Sequence, residues 1–154
     1  MEQYLDANAF RIGPHLVALL VAYVLALPIG WNREKEERSA GLRTFPLVAL
    51  ASCGFVQAAE ELVSGHAEAM ARIVEGIITG MGFIGGGAIL RMKESVKGTA
   101  TAASLWATGA IGTAVGLGSY DVAVVLCLVT IATLWALSPL KDSLVHRQQK
   151  AADE

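Results

Sequence analysis

The sequence predicts an all-α polytopic membrane protein with five transmembrane helices in a compact bundle. Three observations carry that prediction: long runs without charge, basic residues gathered on alternate loops, and too little chain left over for a soluble core. Of the 154 residues, 54% are hydrophobic and only 17% charged. Residues 12–31, 98–120 and 122–140 contain no Asp, Glu, Lys or Arg. A hydrocarbon core about 30 Å thick is crossed by about 20 apolar helical residues, and each of these runs meets that length. The run 44–59 is shorter but sharply bounded by Arg43 and Glu60–Glu61, so it spans with snorkelling or local thinning of the bilayer. The fifth run, 73–90, is interrupted only by Glu75. A soluble fold would need nearly every helix buried all round, which so small a chain cannot arrange.

The expected helices cover about 12–31, 43–61, 72–91, 98–117 and 120–139. Together, residues 1–140 form one membrane domain, and 141–154 a short cytoplasmic tail whose helix frays soon after Pro139. Glu2 and Asp6 leave no positive region ahead of the first apolar run, so that run is read as a permanent helix, not a cleaved signal. With five spans, Arg33, Lys35, Arg38, Arg43, Arg91, Lys93, Lys97, Lys141, Arg147 and Lys150 share one side, leaving only Arg11 and Arg72 on the other. The positive-inside rule then puts the N-terminus outside and the C-terminus in the cytoplasm. The turn at 116–120 makes the fourth and fifth helices antiparallel neighbours.

The glycines of 80–90, GMGFIGGGAIL, are the densest feature. Apolar helices in lipid have no hydrophobic drive to associate, and small residues let their backbones approach. Gly76, Thr79, Gly80 and Gly87 fall on one stripe, with Phe83 between them, and Gly82, Gly85 and Gly86 on the opposite side. That pattern predicts a third helix thin on two faces and sandwiched centrally. The alternative is a helix opened at Gly85–Gly87, freeing carbonyls for an ion. On the fourth helix, Thr101, Ser104, Thr108 and Gly112 make a second stripe, serving as packing glue or as a polar pathway. Trp106 stands clear of it, toward lipid or a second protomer.

Glu75 is a candidate ion site, because an intramembrane carboxylate is costly unless used. Its nearness to Arg72, three residues back, equally suits an interfacial position, as does that of His15 on the first helix. In the loop 32–43, Arg33–Glu37 and Glu34–Arg38 are spaced as i,i+4 pairs, and Gly41 offers a helix stop. Arg33, Glu34, Arg38, Gly41, Arg43 and Thr44 are the candidate partner-contacting or loop-organising residues. Cys53 and Cys127 read as small apolar residues at helix contacts. No paired nucleophile and base, phosphate loop or metal-ligand spacing is present in the sequence, so an enzyme is not expected. Nor does any basic domain suggest nucleic-acid binding.

Three blocks invite comparison: GWNREKEERSAGLRTFPLVAL at 30–50, RIVEGIITGMGFIGGGAIL at 72–90 and VKGTATAASLWATGAIGTAVGLGSY at 96–120. In order and spacing they resemble the membrane domain of the MgtC/SapB family of bacterial inner-membrane proteins. That family shows G-x-x-RE then AGLRT, a GxGFxGxGAI core, and V-[KR]-G followed by TAASLW. Thr99 and Ala100 stand where Leu and Thr are usual, and Glu75 where a neutral amide is. Larger members add a soluble C-terminal domain, whereas this chain ends soon after its fifth helix. The resemblance implies a non-enzymatic regulator in the inner membrane, linked to Mg²⁺ adaptation or stress and acting on another membrane protein such as a transport ATPase. It implies no bound cofactor, although Mg²⁺ remains a candidate ligand. The alternative is an ion (Mg²⁺) transporter or channel using the third helix and Glu75. So short a bundle is expected to form homo-oligomers.

Overall fold

The computed structural model describes residues 12–36, 40–63, 65–92 and 95–152. Five helices follow in order: α1 (Ile12–Lys35), α2 (Thr44–Val63), α3 (Ala67–Gly87), α4 (Thr99–Gly116) and α5 (Tyr120–Ala152). Between α3 and α4 lies a short antiparallel hairpin of β1 (Leu90–Met92) and β2 (Ser95–Lys97), with Arg91 opposite Val96. Three segments are long and apolar enough to cross a membrane: α1, α3 and Tyr120–Leu137 of α5. Thr44–Glu60 of α2 is apolar but shorter, and α4 is not among the three.

The reason lies in what surrounds α4. It packs on α1, α2, α3 and α5 alike and forms the centre of the bundle. Thr101, Ser104, Leu105, Thr108, Gly109, Ile111, Gly112 and Ala114 are all buried along it. A helix enclosed by other helices need not be lipophilic, and Thr, Gly and Ala let its neighbours come close. An alanine methyl at Gly112 would collide with the backbone of Ala49 on α2. At Gly116 it would lie 2.8 Å from Val56 Cβ, and at Gly109 2.8 Å from Met81 Cγ on α3. The glycines that set helix spacing are therefore those of α4.

This corrects the expectation of a central third helix. Positions Gly76, Gly80, Gly82, Gly86 and Gly87 have nothing within 4 Å of an added Cβ, and only Gly85 faces a neighbour, Ala102. Phe83 is 86% exposed. The glycine pattern marks a helix with thin faces, but α3 stands at the edge of the protomer with those faces uncovered. Nor does Gly85–Gly87 break the helix in mid-span. α3 runs continuously and ends there, with the N–H of Ala88 bonded to Gly85 O.

Side-chain contacts fix the relative directions. Gly30 of α1 lies against Gly41, Leu42 and Phe45, and Leu19 against Gly54, so α1 and α2 are antiparallel. Gly112 at Ala49 and Gly116 at Cys53 make α4 parallel to α2. The Cys127 thiol donates to Leu25 O at 3.2 Å, which sets α5 beside α1. α1 buries a stripe of Ala18, Ala22, Ala26, Ile29 and Gly30, again small residues at a close contact. The α4–α5 turn uses Gly118 at φ +74°, as the expected antiparallel pairing requires. α5 continues as helix to Ala152, well past the fraying point expected after Pro139.

Gly112→Ala is expected to lose about 1–3 kcal/mol of stability through overpacking, because the new methyl meets backbone that cannot rotate away. Gly80→Ala is expected to shift it by no more than about 1 kcal/mol. Unfolding in detergent, followed by circular dichroism, checks both.

Candidate functional site

The candidate residues of the α1–α2 loop come together as an elbow. α1 runs on to Lys35, so Arg33 and Glu34 leave the last turn of a helix and not a loose loop. The Glu34 carboxylate crosses the elbow and accepts the N–H of Leu42 at 3.0 Å. Gly41 is buried beneath it, and a side chain there would collide with Glu34 Oε2. A side chain at position 41 would therefore displace the Glu34 carboxylate from the Leu42 N–H. The positive-φ glycines are Gly65, Gly98 and Gly118, so Gly41 does not act as the left-handed helix stop that the sequence suggested.

Arg33 is 2% exposed, although it is charged and near a helix end. Its guanidinium donates to Asn32 Oδ1, from Nε at 3.0 Å, and lies 3.3 Å from Glu36 Oε1. An arginine is tolerated inside protein when its forked donors and its charge are both met. Among the described residues Arg33 forms an ion pair with Glu36 at i,i+3; Glu37 and Arg38, in the two i,i+4 pairs expected, lie outside the described residues. Arg43 is exposed, and Thr44 is half-buried at the start of α2. Beside them, Lys35 Nζ stands 5.3 Å from the Trp31 ring centroid, a cation–π distance.

The hydroxyl stripe of α4 is buried but turned inward on its own helix. Ser104 donates to Ala100 O, Thr108 to Ser104 O at 2.8 Å and Thr113 to Gly109 O at 2.9 Å. Each hydroxyl proton goes to the i−4 carbonyl, so none of these three donors is offered to a passing ion. Glu75 is exposed on peripheral α3, as is Arg72, and among the described residues no ion pair joins them. Nor do the described residues hold any group of three or more His, Cys, Asp or Glu placed to bind a metal. Cys53 and Cys127 are buried, free thiols.

Three features escaped the sequence reading: the burial of Arg33, the Asn32–Glu36 cradle around it, and the β-hairpin. The mixed run NREKEER was the available signal for the first two, since a purely topological flank has no use for three glutamates. A third region, at the far end of the bundle, joins His15, Gln57, Glu60 and Tyr120 around a cavity of about 280 Å³.

If Glu34 holds the elbow, Glu34→Ala and Gly41→Ala should each speed hydrogen exchange at the Leu42 amide by about fivefold, since this solvent-exposed hydrogen bond is worth about 1 kcal/mol. Glu34→Gln should do so less, because its amide oxygen still accepts. Equal protection in all four proteins, by exchange mass spectrometry, contradicts the assignment.

Comparison with known proteins places this architecture. A family model described as the MgtC family matches residues 19–143. Protein SrpB of Synechococcus elongatus is 36% identical over 142 residues, covering 84% of this chain and 78% of its own. Protein MgtC of Salmonella typhimurium is 35% identical over 118 residues, 77% of this chain and 50% of its own. A third relative, “Putative magnesium transporter YhiD” of Escherichia coli, is 30% identical over 141 residues, 86% of this chain and 64% of its own. The chain thus spans between half and about three-quarters of the length of these relatives. No solved structure matches it. With the family model covering all five helices except the ends of the first and last, the chain belongs to the MgtC family of membrane proteins.

Proposed function

We propose that this protein is a non-enzymatic regulator in a bacterial inner membrane, linked to Mg²⁺ adaptation or stress, which acts by contact with another membrane protein such as a transport ATPase. The observation that carries this reading is the elbow. A buried Arg33 paired with Glu36 and a Glu34 carboxylate that accepts the Leu42 N–H give one end of the bundle a defined arrangement of charged groups. A defined arrangement of charges suits recognition of a partner. The centre of the bundle supports the same reading from the other side. Ser104, Thr108 and Thr113 of α4 spend their hydroxyl protons on carbonyls of that helix, and Glu75 lies on peripheral α3, away from the middle of the bundle.

In this reading all five helices cross the membrane, α2 and α4 included, because α4 is shielded from lipid by its neighbours. The elbow and hairpin face the cytoplasm, and the N-terminus is outside. The thin outward face of α3, with Gly80 and Phe83, is the surface through which two copies associate.

The transport reading has one point in its favour, the printed name of the Escherichia coli relative. Flux separates the two. Folded protein in liposomes is expected to give no Mg²⁺ entry above empty liposomes, and Arg33→Ala or Arg43→Ala to abolish function in cells while the protein stays in the membrane. Protein-dependent Mg²⁺ flux reduced by Glu75→Gln would overturn the regulator reading.

A further inference from the structure

All five helices contribute to the polar cavity of about 280 Å³ at the end of the bundle opposite the elbow. His15 comes from the first turn of α1, Gln57 and Glu60 from the last two turns of α2, and Met70 from the first turn of α3. Gly116 ends α4 and Tyr120 begins α5. Helix ends of both signs therefore meet around one space, positive at α1, α3 and α5 and negative at α2 and α4, and their partial charges oppose one another. The side chains decide what the cavity prefers.

Glu60 brings a carboxylate, and among the described residues no Lys or Arg lines the cavity. The imidazole of His15, the amide of Gln57 and the phenol of Tyr120 each offer an atom that can accept a hydrogen bond. His15, Glu60 and Tyr120 are exposed and Gln57 is half-buried, so all four are within reach of water. One negative charge among three such acceptors favours a cation that donates hydrogen bonds.

The number of donors to a metal decides which cation. Zinc takes three or four protein ligands and Ca²⁺ about six to eight oxygens, whereas the described residues hold no group of three or more His, Cys, Asp or Glu placed for a metal. Mg²⁺ gives up water reluctantly and is held by one or two carboxylates with several waters kept. Its six waters, at about 30 Å³ each, occupy about 180 Å³, less than the volume present. We propose that this cavity binds hydrated Mg²⁺ through its water shell, with Glu60 supplying the charge and His15, Gln57 and Tyr120 accepting from the bound waters. The compartment that supplies the ion rests on the topology proposed above, in which this end faces outside; the binding itself does not.

The chain has three histidines, so His66→Gln with His146→Gln leaves His15 as the sole imidazole reporter in ¹⁵N-histidine-labelled protein. Its resonance is followed by NMR in detergent micelles, buffered on the alkaline side of imidazole titration, while Mg²⁺ replaces K⁺ at constant ionic strength. Mg²⁺ is expected to move the resonance to saturation. Cobalt(III) hexammine, whose ammines do not exchange and which binds only through their N–H groups, should give a saturating shift as well. Glu60→Gln should weaken both by about tenfold or more, and Gln57→Leu by about fivefold, the worth of one hydrogen bond. Gln57→Leu carries the decision if Glu60→Gln fails gel filtration. No saturable shift overturns the proposal, as does Mg²⁺ binding that cobalt hexammine cannot reproduce. Methylammonium binding as tightly as Mg²⁺, or an affinity that Glu60→Gln leaves unchanged, overturns it too. None of these results depends on whether the protein regulates a partner, which the liposome experiment decides separately.

Discussion

The close approach of α4 to its neighbours is the constraint on which the rest depends. Lipid offers apolar helices no reason to leave it, so a bundle holds together only where surfaces fit closely enough for dispersion to add up. Here the fit is made at Gly112 against the Ala49 backbone, Gly116 against Cys53 and Val56, and Gly109 against Met81. Those contacts set the parallel run of α2 and α4 and the antiparallel run of α3. Once α4 is enclosed, its own surface no longer needs to be lipophilic. Threonine and serine can occupy the centre in part because the hydroxyls of Ser104, Thr108 and Thr113 bond to carbonyls of their own helix.

The elbow depends on that arrangement in turn. Gly30 brings α1 against Gly41 and Phe45, so the chain must reverse in very little space. Glu34 occupies the room that a side chain at position 41 would take, and its bond to Leu42 ties the end of α1 to the approach of α2. Arg33 is buried by the same folding-over, with Asn32 and Glu36 as its company. Packing at the centre and polar order at one end are thus parts of a single geometry.

Much of the architecture was legible in the sequence. Uncharged runs and their spacing gave five helices, with α2 beginning at Thr44 and α5 at Tyr120 as expected. The centre was not legible from glycine density, because glycine signals that a close approach is possible without naming what approaches. The sparser glycines at 109, 112 and 116 meet neighbours within the chain, whereas the dense set on α3 mostly meets none. The site was legible as a set of residues but not as a geometry. The i,i+4 spacing suggested pairs along one helix, yet Glu34 reaches eight residues ahead to a backbone N–H. Contacts made by a reversal of the chain leave no periodic trace. The hairpin at 90–97 is similarly hidden, since two three-residue strands are too short for alternation to register.

The burial of Arg33 bears on how the protein is made. A cation flanking an apolar segment must stay hydrated while that segment enters the bilayer, because its charge resists being dragged through hydrocarbon. In the finished molecule the same side chain has lost nearly all its water. Hydration can be given up only after Asn32 and Glu36 are placed and α2 has folded back beneath α1. The residue therefore has two successive duties, as an anchor during insertion and as a keystone afterwards, and closure of the elbow belongs to the later stage of biogenesis.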